Sequence, residues 1–344
     1  MAPGGGSNHE IAQIKHSSNL LEQVKFYKQL IRRVGPGQAQ EDLYRSGLPF
    51  TGETHLLNHE VGDYLYEKYG VTGLSKCKEY FLASCGHGFI IHAIQHGGVP
   101  EVSRVLEACR PLGLPVFQQC AHAVGHGFLA FSGYKNLTQA LKMCDKVQTT
   151  VSDFPLFNCH DGVFMENIWA VHEGGEPSPD RWIKDSDPVY PCDDPRINTK
   201  YLTACWSNQS STMYRLFRGD IQKIGEQCGQ LTQIDLLYMC YNGLSRQIHP
   251  IAAGSLDQTF KLCGQLSGTW VDYCISTNAT ASFSVGDRTL PFQICDRIDQ
   301  NGKNQCYSGL VAQIGAYAKI REDRSSWCAK IKDQAWKDQC NLQN

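Results

Sequence analysis

The segment Cys120–Ala121–His122–Ala123–Val124–Gly125–His126–Gly127 sets two imidazoles four residues apart just after a cysteine. On an α-helix, positions i and i+4 lie on one face, one turn apart. Two neutral imidazoles so placed can bind one transition-metal ion. His55 and His59 repeat the spacing upstream. Of the twelve histidines, His55, His59, His87, His92, His122, His126 and His160 fall just after cysteines or in the segment preceding the first of them. That crowding puts the chemistry in the N-terminal half. The expected metal ligands are His55, His59, His87, His122, His126 and His160. Asp161 and Glu166 are the expected catalytic groups, as general base, ligand orienter or further ligand. His96, His172 and His249 stand alone and read as surface or core histidines.

Ligand type narrows the ion. Imidazole suits copper, zinc, iron and nickel. Five to seven histidines exceed what one tetrahedral ion uses, so one or two ions are expected, with copper favoured. A site of imidazoles on facing helices has the ligand chemistry of binuclear copper proteins, though the chain lacks the rest of their sequence pattern. Zinc with three protein ligands and an activated water is the hydrolytic alternative. His122, His126 and Asp161 would also satisfy the two-histidine, one-carboxylate set of non-haem iron. The chain has no GxGxxG, no GxxxxGK[ST], no GxSxG, no CxxCH and no HExxH; His59–Glu60 begins like the last, but Asp63 stands where its second histidine belongs.

The elements that must position these residues are set by sixteen cysteines. Taken as neighbours they form eight pairs: Cys77–Cys85, Cys109–Cys120, Cys144–Cys159, Cys192–Cys205, Cys228–Cys240, Cys263–Cys274, Cys295–Cys306 and Cys328–Cys340. Their even number, regular spacing and lack of any CxxC argue for sequential disulfides and an oxidising, extracytoplasmic compartment. Each loop of about a dozen residues would stabilise the fold by roughly 3 kcal/mol when closed. First cysteines recur every 32, 35, 48, 36, 35, 32 and 33 residues. Each unit reads as a helix ending near its first cysteine, a loop, and a second cysteine opening another helix. Units of this kind bury their apolar faces only by stacking. The expected fold is all-α, a right-handed α-solenoid of disulfide-stapled helix pairs with the layout, but not the consensus residues, of Sel1-like and tetratricopeptide repeats.

Residues 1–17 read as a disordered leader and 18–344 as a single helical-repeat domain. Within it, 18–170 is the histidine-rich half, 172–191 a Pro/Gly/acid-rich insertion loop and 192–344 scaffold repeats. Helices are expected near 19–34, with Gly35–Pro36–Gly37 as the stop, near 39–45, and over 54–69 behind the capping residues of Thr51–Thr54. Two residues past each second cysteine stand His87, His122, Asp161, Ser207, Asn242, Ser276 and Ser308. Stacked helices would align them on one wall that is metal-binding at one end and merely polar at the other.

Lys and Arg total 32 against 34 Asp and Glu. That balance gives no nucleic-acid or membrane-surface footprint. No apolar run is long enough to span a bilayer. The chain opens Met1–Ala2–Pro3–Gly4–Gly5–Gly6–Ser7 without an apolar signal region, so an exported form is expected to have lost a targeting or anchoring segment. Sequons at Asn136, Asn208 and Asn278 offer weak support for export.

The phrases Cys120–Ala–His–Ala–Val–Gly–His–Gly, Cys159–His–Asp–Gly–Val–Phe–Met–Glu–Asn167 and Leu56–Leu–Asn–His–Glu–Val–Gly62 resemble a family of uncharacterised exported proteins of archaea and bacteria. The resemblance covers roughly residues 50–170. It implies an exported helical protein and no reaction.

The function expected from the residues is therefore an extracytoplasmic metalloprotein, a metal-dependent oxidoreductase acting on a small-molecule substrate. The rival expectation is a solenoid that binds a protein or peptide partner, with Tyr201, Trp206, Tyr214, Tyr241 and Trp270 as its recognition material.

Overall fold

The structure, a computed structural model, describes Ile11 and residues 19–48, 51–78, 80–169, 178–318 and 321–342. The expected leader, apart from Ile11, and the start of the insertion, His172 included, lie outside the described residues. Seventeen α-helices and four short 3-10 helices make up the regular structure, and no strand occurs among the described residues. The chain divides into two compact units: one runs to Ile183 and includes Asp194–Ala204, the other comprises Lys184–Asp193 and Cys205 onward.

The first unit holds α1 (Leu20–Val34), α2 (Pro36–Arg45), α3 (Gly52–Tyr69), α4 (Tyr80–Gly97), α5 (Pro100–Cys109), α6 (Leu114–Ser132), α7 (Leu137–Thr150) and α8 (Leu156–Trp169). Gly35, at φ +86°, ends α1. Pro36 then starts α2 three residues earlier than expected, because a proline at N1 lacks only an N–H that would have no helical partner there. Thr51 caps α3 in a reciprocal box with Thr54, so that helix begins at Gly52 rather than at 54. Helices α3, α4, α6 and α8 pack in succession, with α5 and α7 packed beside them. Leu57, Val61, Phe89, Phe128, Leu141 and Val163 are fully or almost fully buried between them.

In the second unit, α9 (Leu202–Leu216), nearly all of which belongs here, precedes α10 (Ile221–Cys228), α11 (Ile234–Ala252), α12 (Leu256–Cys263), α13 (Thr269–Ser284), α14 (Leu290–Arg297), α15 (Gln300–Tyr317), α16 (Arg321–Cys328) and α17 (Gln334–Leu342). The longer α11, α13, α15 and α17 again pack in succession. Leu244, Ile248, Phe283, Leu310 and Ile314 form their buried seam.

All eight disulfides join sequence neighbours, with Cα–Cα distances from 5.4 to 6.5 Å. They fit an oxidising environment. The second cysteine does not open its helix, however. Cys120, Cys240, Cys306 and Cys340 each lie six residues inside theirs, so the bridge grips the second turn and leaves the first free to wind around a proline or polar cap. In the fourth unit Cys192 lies among turns rather than at a helix end.

Two of the sequons carry no support for export. Asn278 is fully buried and donates to the Ser245 and Cys274 carbonyls, and Asn208 is also buried. The aromatic residues of the rival expectation pack inward: Tyr201, Trp206 and Tyr241 are buried, and Tyr241 stacks on Trp270 with centroids 3.9 Å apart. Among the described residues no helix is long and apolar enough to cross a membrane.

Candidate metal centre

Close helix approach precedes the chemistry. A Cβ on Gly62 of α3 would stand 2.1 Å from the Cys85 carbonyl oxygen, and one on Gly88 of α4 would stand 2.3 Å from the His59 carbonyl oxygen. The same holds further along. A Cβ on Gly125 of α6 would meet the Cys159 oxygen at 2.0 Å, and one on Gly162 of α8 the His122 oxygen at 2.0 Å. Only glycine permits these crossings. They let short imidazole side chains from neighbouring helices touch.

His55 and His59 project from α3 and His87 from α4. One ligand nitrogen from each of the three lies within 4.8 Å of the other two, close enough for the triad to hold a metal ion. His55 Nδ1 donates to the Phe81 carbonyl at 2.9 Å. In the neutral ring that leaves Nε2 unprotonated, and it lies 3.2 Å from His87 Nδ1. His87 Nε2 faces Gln119 Oε1 at 3.1 Å. With the amide oxygen turned to it, Nε2 carries the proton and Nδ1 offers a lone pair. Two lone pairs at that separation repel each other unless a cation lies between them. Second contacts that fix tautomers in this way are usual for metal-bound histidines.

The rings are also kept neutral. Burial pushes the pKa of His55 down to about 4, the Phe81 hydrogen bond only partly opposing it. Burial, with the neighbouring imidazoles in support, holds His87 well below its ordinary value. Neutral imidazole is the metal-binding form.

Beside the triad stand His122 and His126 of α6, with centroids 4.7 Å apart. The His87 ring lies 5.4 Å from the first and 6.2 Å from the second, centroid to centroid. His126 Nδ1 pairs with Glu166 Oε2 at 2.8 Å, and His122 Nδ1 lies 3.2 Å from Asp161 Oδ2. Tyr134 donates to the other oxygen of Glu166, and its phenol is held far above its ordinary pKa by burial and by that carboxylate. Asp161 and Glu166 thus meet the Nδ1 sides of the rings. That arrangement orients ligands. It does not put Asp161 beside both Nε2 atoms, as a two-histidine, one-carboxylate iron site would require.

The first three positions of the expected wall come together: His87, His122 and Asp161, each two residues past its cysteine, lie in consecutive contact. His160 is not brought to it. Its Nε2 pairs with Asp145 at 3.0 Å and Tyr201 packs edge-on, so the ring is engaged by Asp145 and Tyr201 rather than by the other imidazoles. His92 lies 3.8 Å from Asp63 and 3.7 Å from Glu67, and stacks on His96. His249 is a buried core histidine beside Ser282. Gln119, Tyr134 and the Phe81 carbonyl were not foreseen. Gln119 adjoins Cys120, but neither residue type nor spacing sets it apart, and no reading of side chains finds a carbonyl.

No protein-family model, curated protein or solved structure matches the chain.

Proposed function

We propose that the protein is an extracytoplasmic, metal-dependent oxidoreductase that works with copper held by His55, His59 and His87. The observation that carries the reading is the triad: three ligand nitrogens within 4.8 Å of one another, from two helices locked together at Gly62 and Gly88. The donor set is all imidazole. Disulfides take up every cysteine, so no thiolate competes, and imidazole is a donor that suits copper. His122 and His126 next to His87 extend the imidazole field. The eight disulfides support placement in an oxidising, extracytoplasmic compartment.

A cavity of about 250 Å³ lined by Leu56, His59, Glu60, Asp63, Gly88, Ile91 and Gln95 opens beside the triad. It would admit a small substrate to the His59 side, where Glu60 and Asp63 can take up protons. The same carboxylates favour the second reading, zinc-dependent hydrolysis, because a base beside a zinc-bound water is what that chemistry needs.

Electron paramagnetic resonance of the protein loaded with copper(II) tests the first reading. Nitrogen hyperfine structure from imidazoles, with the part that belongs to the triad lost in His55→Ala/His59→Ala, together with copper-dependent oxygen consumption in the presence of a reductant, is expected. Failure to cycle between oxidised and reduced copper, with hydrolysis in the zinc-loaded protein instead, would overturn the redox assignment in favour of the second.

A further inference from the structure

The crossing of α3 with α4 and that of α6 with α8 are two copies of one design. Gly62 abuts the Cys85 carbonyl and Gly88 that of His59; Gly125 abuts the Cys159 carbonyl and Gly162 that of His122. Superposing the glycines makes His59 equivalent to His122, Asp63 to His126, and His92 to Glu166. The acid–imidazole pair is kept with its members exchanged: Asp63 faces His92 at 3.8 Å, and Glu166 meets His126 at 2.8 Å. At the first crossing, His59 is completed as a metal ligand by His55. At the second, its equivalent His122 is completed by His126.

The second crossing is the more tightly built. Both carboxylates are almost fully buried, and both imidazoles retain less than a tenth of their surface. An ionised carboxylate only accepts, so Glu166 holds the Nδ1 proton of His126, and Asp161 lies 3.2 Å from Nδ1 of His122. The two Nε2 atoms are turned toward each other, 3.0 Å apart. Two nitrogens bound to one ion at roughly 2.0–2.1 Å each, at about a right angle, are about 3 Å apart.

We infer that His122 and His126 hold a second divalent transition-metal ion through their Nε2 atoms, with Asp161 and Glu166 as positioning residues and the His87 ring packed beside them. The ion would be of the borderline class that imidazole prefers, copper(II), zinc(II) or cobalt(II). The chain would then hold two ions, one at each crossing. The second position does not depend on the triad reading, and its test separates the two.

Cobalt(II) titration of the disulfide-intact protein, followed by visible absorption and elemental analysis, supplies that test. Two ions per chain are expected for wild type. One is expected for His55→Ala/His59→Ala and one for His122→Ala/His126→Ala. His122→Gln/His126→Gln, which keeps hydrogen-bonding side chains, guards against loss of fold, and circular dichroism reports on it. Glu166→Gln keeps an acceptor for His126 while removing the charge. It is expected to weaken one of the two ions by about 10–100-fold and shift its absorption bands, leaving the other unchanged. If both the alanine and the glutamine pairs at 122 and 126 bind as many ions as wild type, the second position is overturned and a shared proton joins the rings. If only the His55/His59 variant retains wild-type stoichiometry, the triad reading fails and this one survives. Binding of no ion by wild type would overturn both.

Discussion

His87 is the side chain on which both imidazole groups converge, and Gln119 determines how it is held. The Oε1 atom fixes the proton on His87 Nε2 and turns Nδ1 toward His55. Gln119→Leu keeps the bulk and removes the acceptor. It is expected to weaken metal binding at the triad by about 10–100-fold while moving the unfolding midpoint little. Competition with a chromophoric chelator measures the affinity, and unchanged affinity would mean that Gln119 only fills space. The residues legible in the sequence were those with a helical rule behind them. His55 with His59 and His122 with His126 follow the i, i+4 rule, and His87, His122 and Asp161 share a register set by their cysteines. His160 shows where type alone misleads. It is one residue short of that register, so its ring is turned about 100° around the helix and reaches Asp145 and Tyr201 instead. Gln119 and Tyr134 belong to no pattern and required the fold.

Between helices, the glycines decide whether the imidazoles can meet. Gly162→Ala would drive a methyl into the His122 carbonyl at 2.0 Å. Overpacking of this kind costs about 1–3 kcal/mol or more, and separating α6 from α8 should also weaken cobalt binding. Gly86→Ala is the control, since its nearest neighbour would be Leu74 at 3.9 Å. It should be neutral or gain about 0.5–1 kcal/mol of helix propensity. Urea denaturation of the two variants separates these outcomes; equal stabilities would contradict the close-packing account. From sequence alone these glycines could be read only as permissive of packing. The contact that makes Gly62, Gly88, Gly125 and Gly162 obligatory is with a carbonyl on another helix. The helix starts show the same division: capping by Thr51 was legible, whereas the depth of each second cysteine inside its helix was not, because spacing between cysteines does not report where winding begins.

Element packing also predicts a pH effect in the second unit. His249 of α11 is buried against α13, and burial lowers its pKa, with Asp287 partly opposing. The unfolded chain therefore binds a proton at this position at a higher pH than the folded chain does. Its contribution to stability is complete above the unfolded value, roughly 6.5, and falls as pH drops through and below it. His249→Gln should flatten the fall of the urea midpoint between pH 7 and pH 5 relative to wild type. Parallel curves for the two proteins would contradict the assignment.

Across the whole molecule, eight local staples each close a short loop, and each is worth roughly 3 kcal/mol in the chain-entropy view. Peptide mapping without reduction should recover only neighbour-to-neighbour bridges, and a bridge between distant cysteines would contradict the repeat. Reduction should lower the unfolding temperature of both units, since each contains several bridges. The all-α repeat and its staples were legible because periodicity in cysteine and in apolar residues expresses a local rule copied along the chain. The division into two units was not, because it depends on how segments 184–193 and 194–204 are apportioned, which no periodicity encodes.

The central claim is that imidazoles on α3, α4 and α6 hold metal, and its most direct test is elemental analysis. The wild-type protein and its His55→Ala/His59→Ala variant would be produced in an oxidising compartment and purified side by side without chelators. The account predicts copper in the wild-type protein, up to two equivalents per chain, and a loss of one equivalent in the variant with all eight disulfides intact. Equal metal content in the two proteins, or none in either after reconstitution with copper, zinc and cobalt, would contradict it.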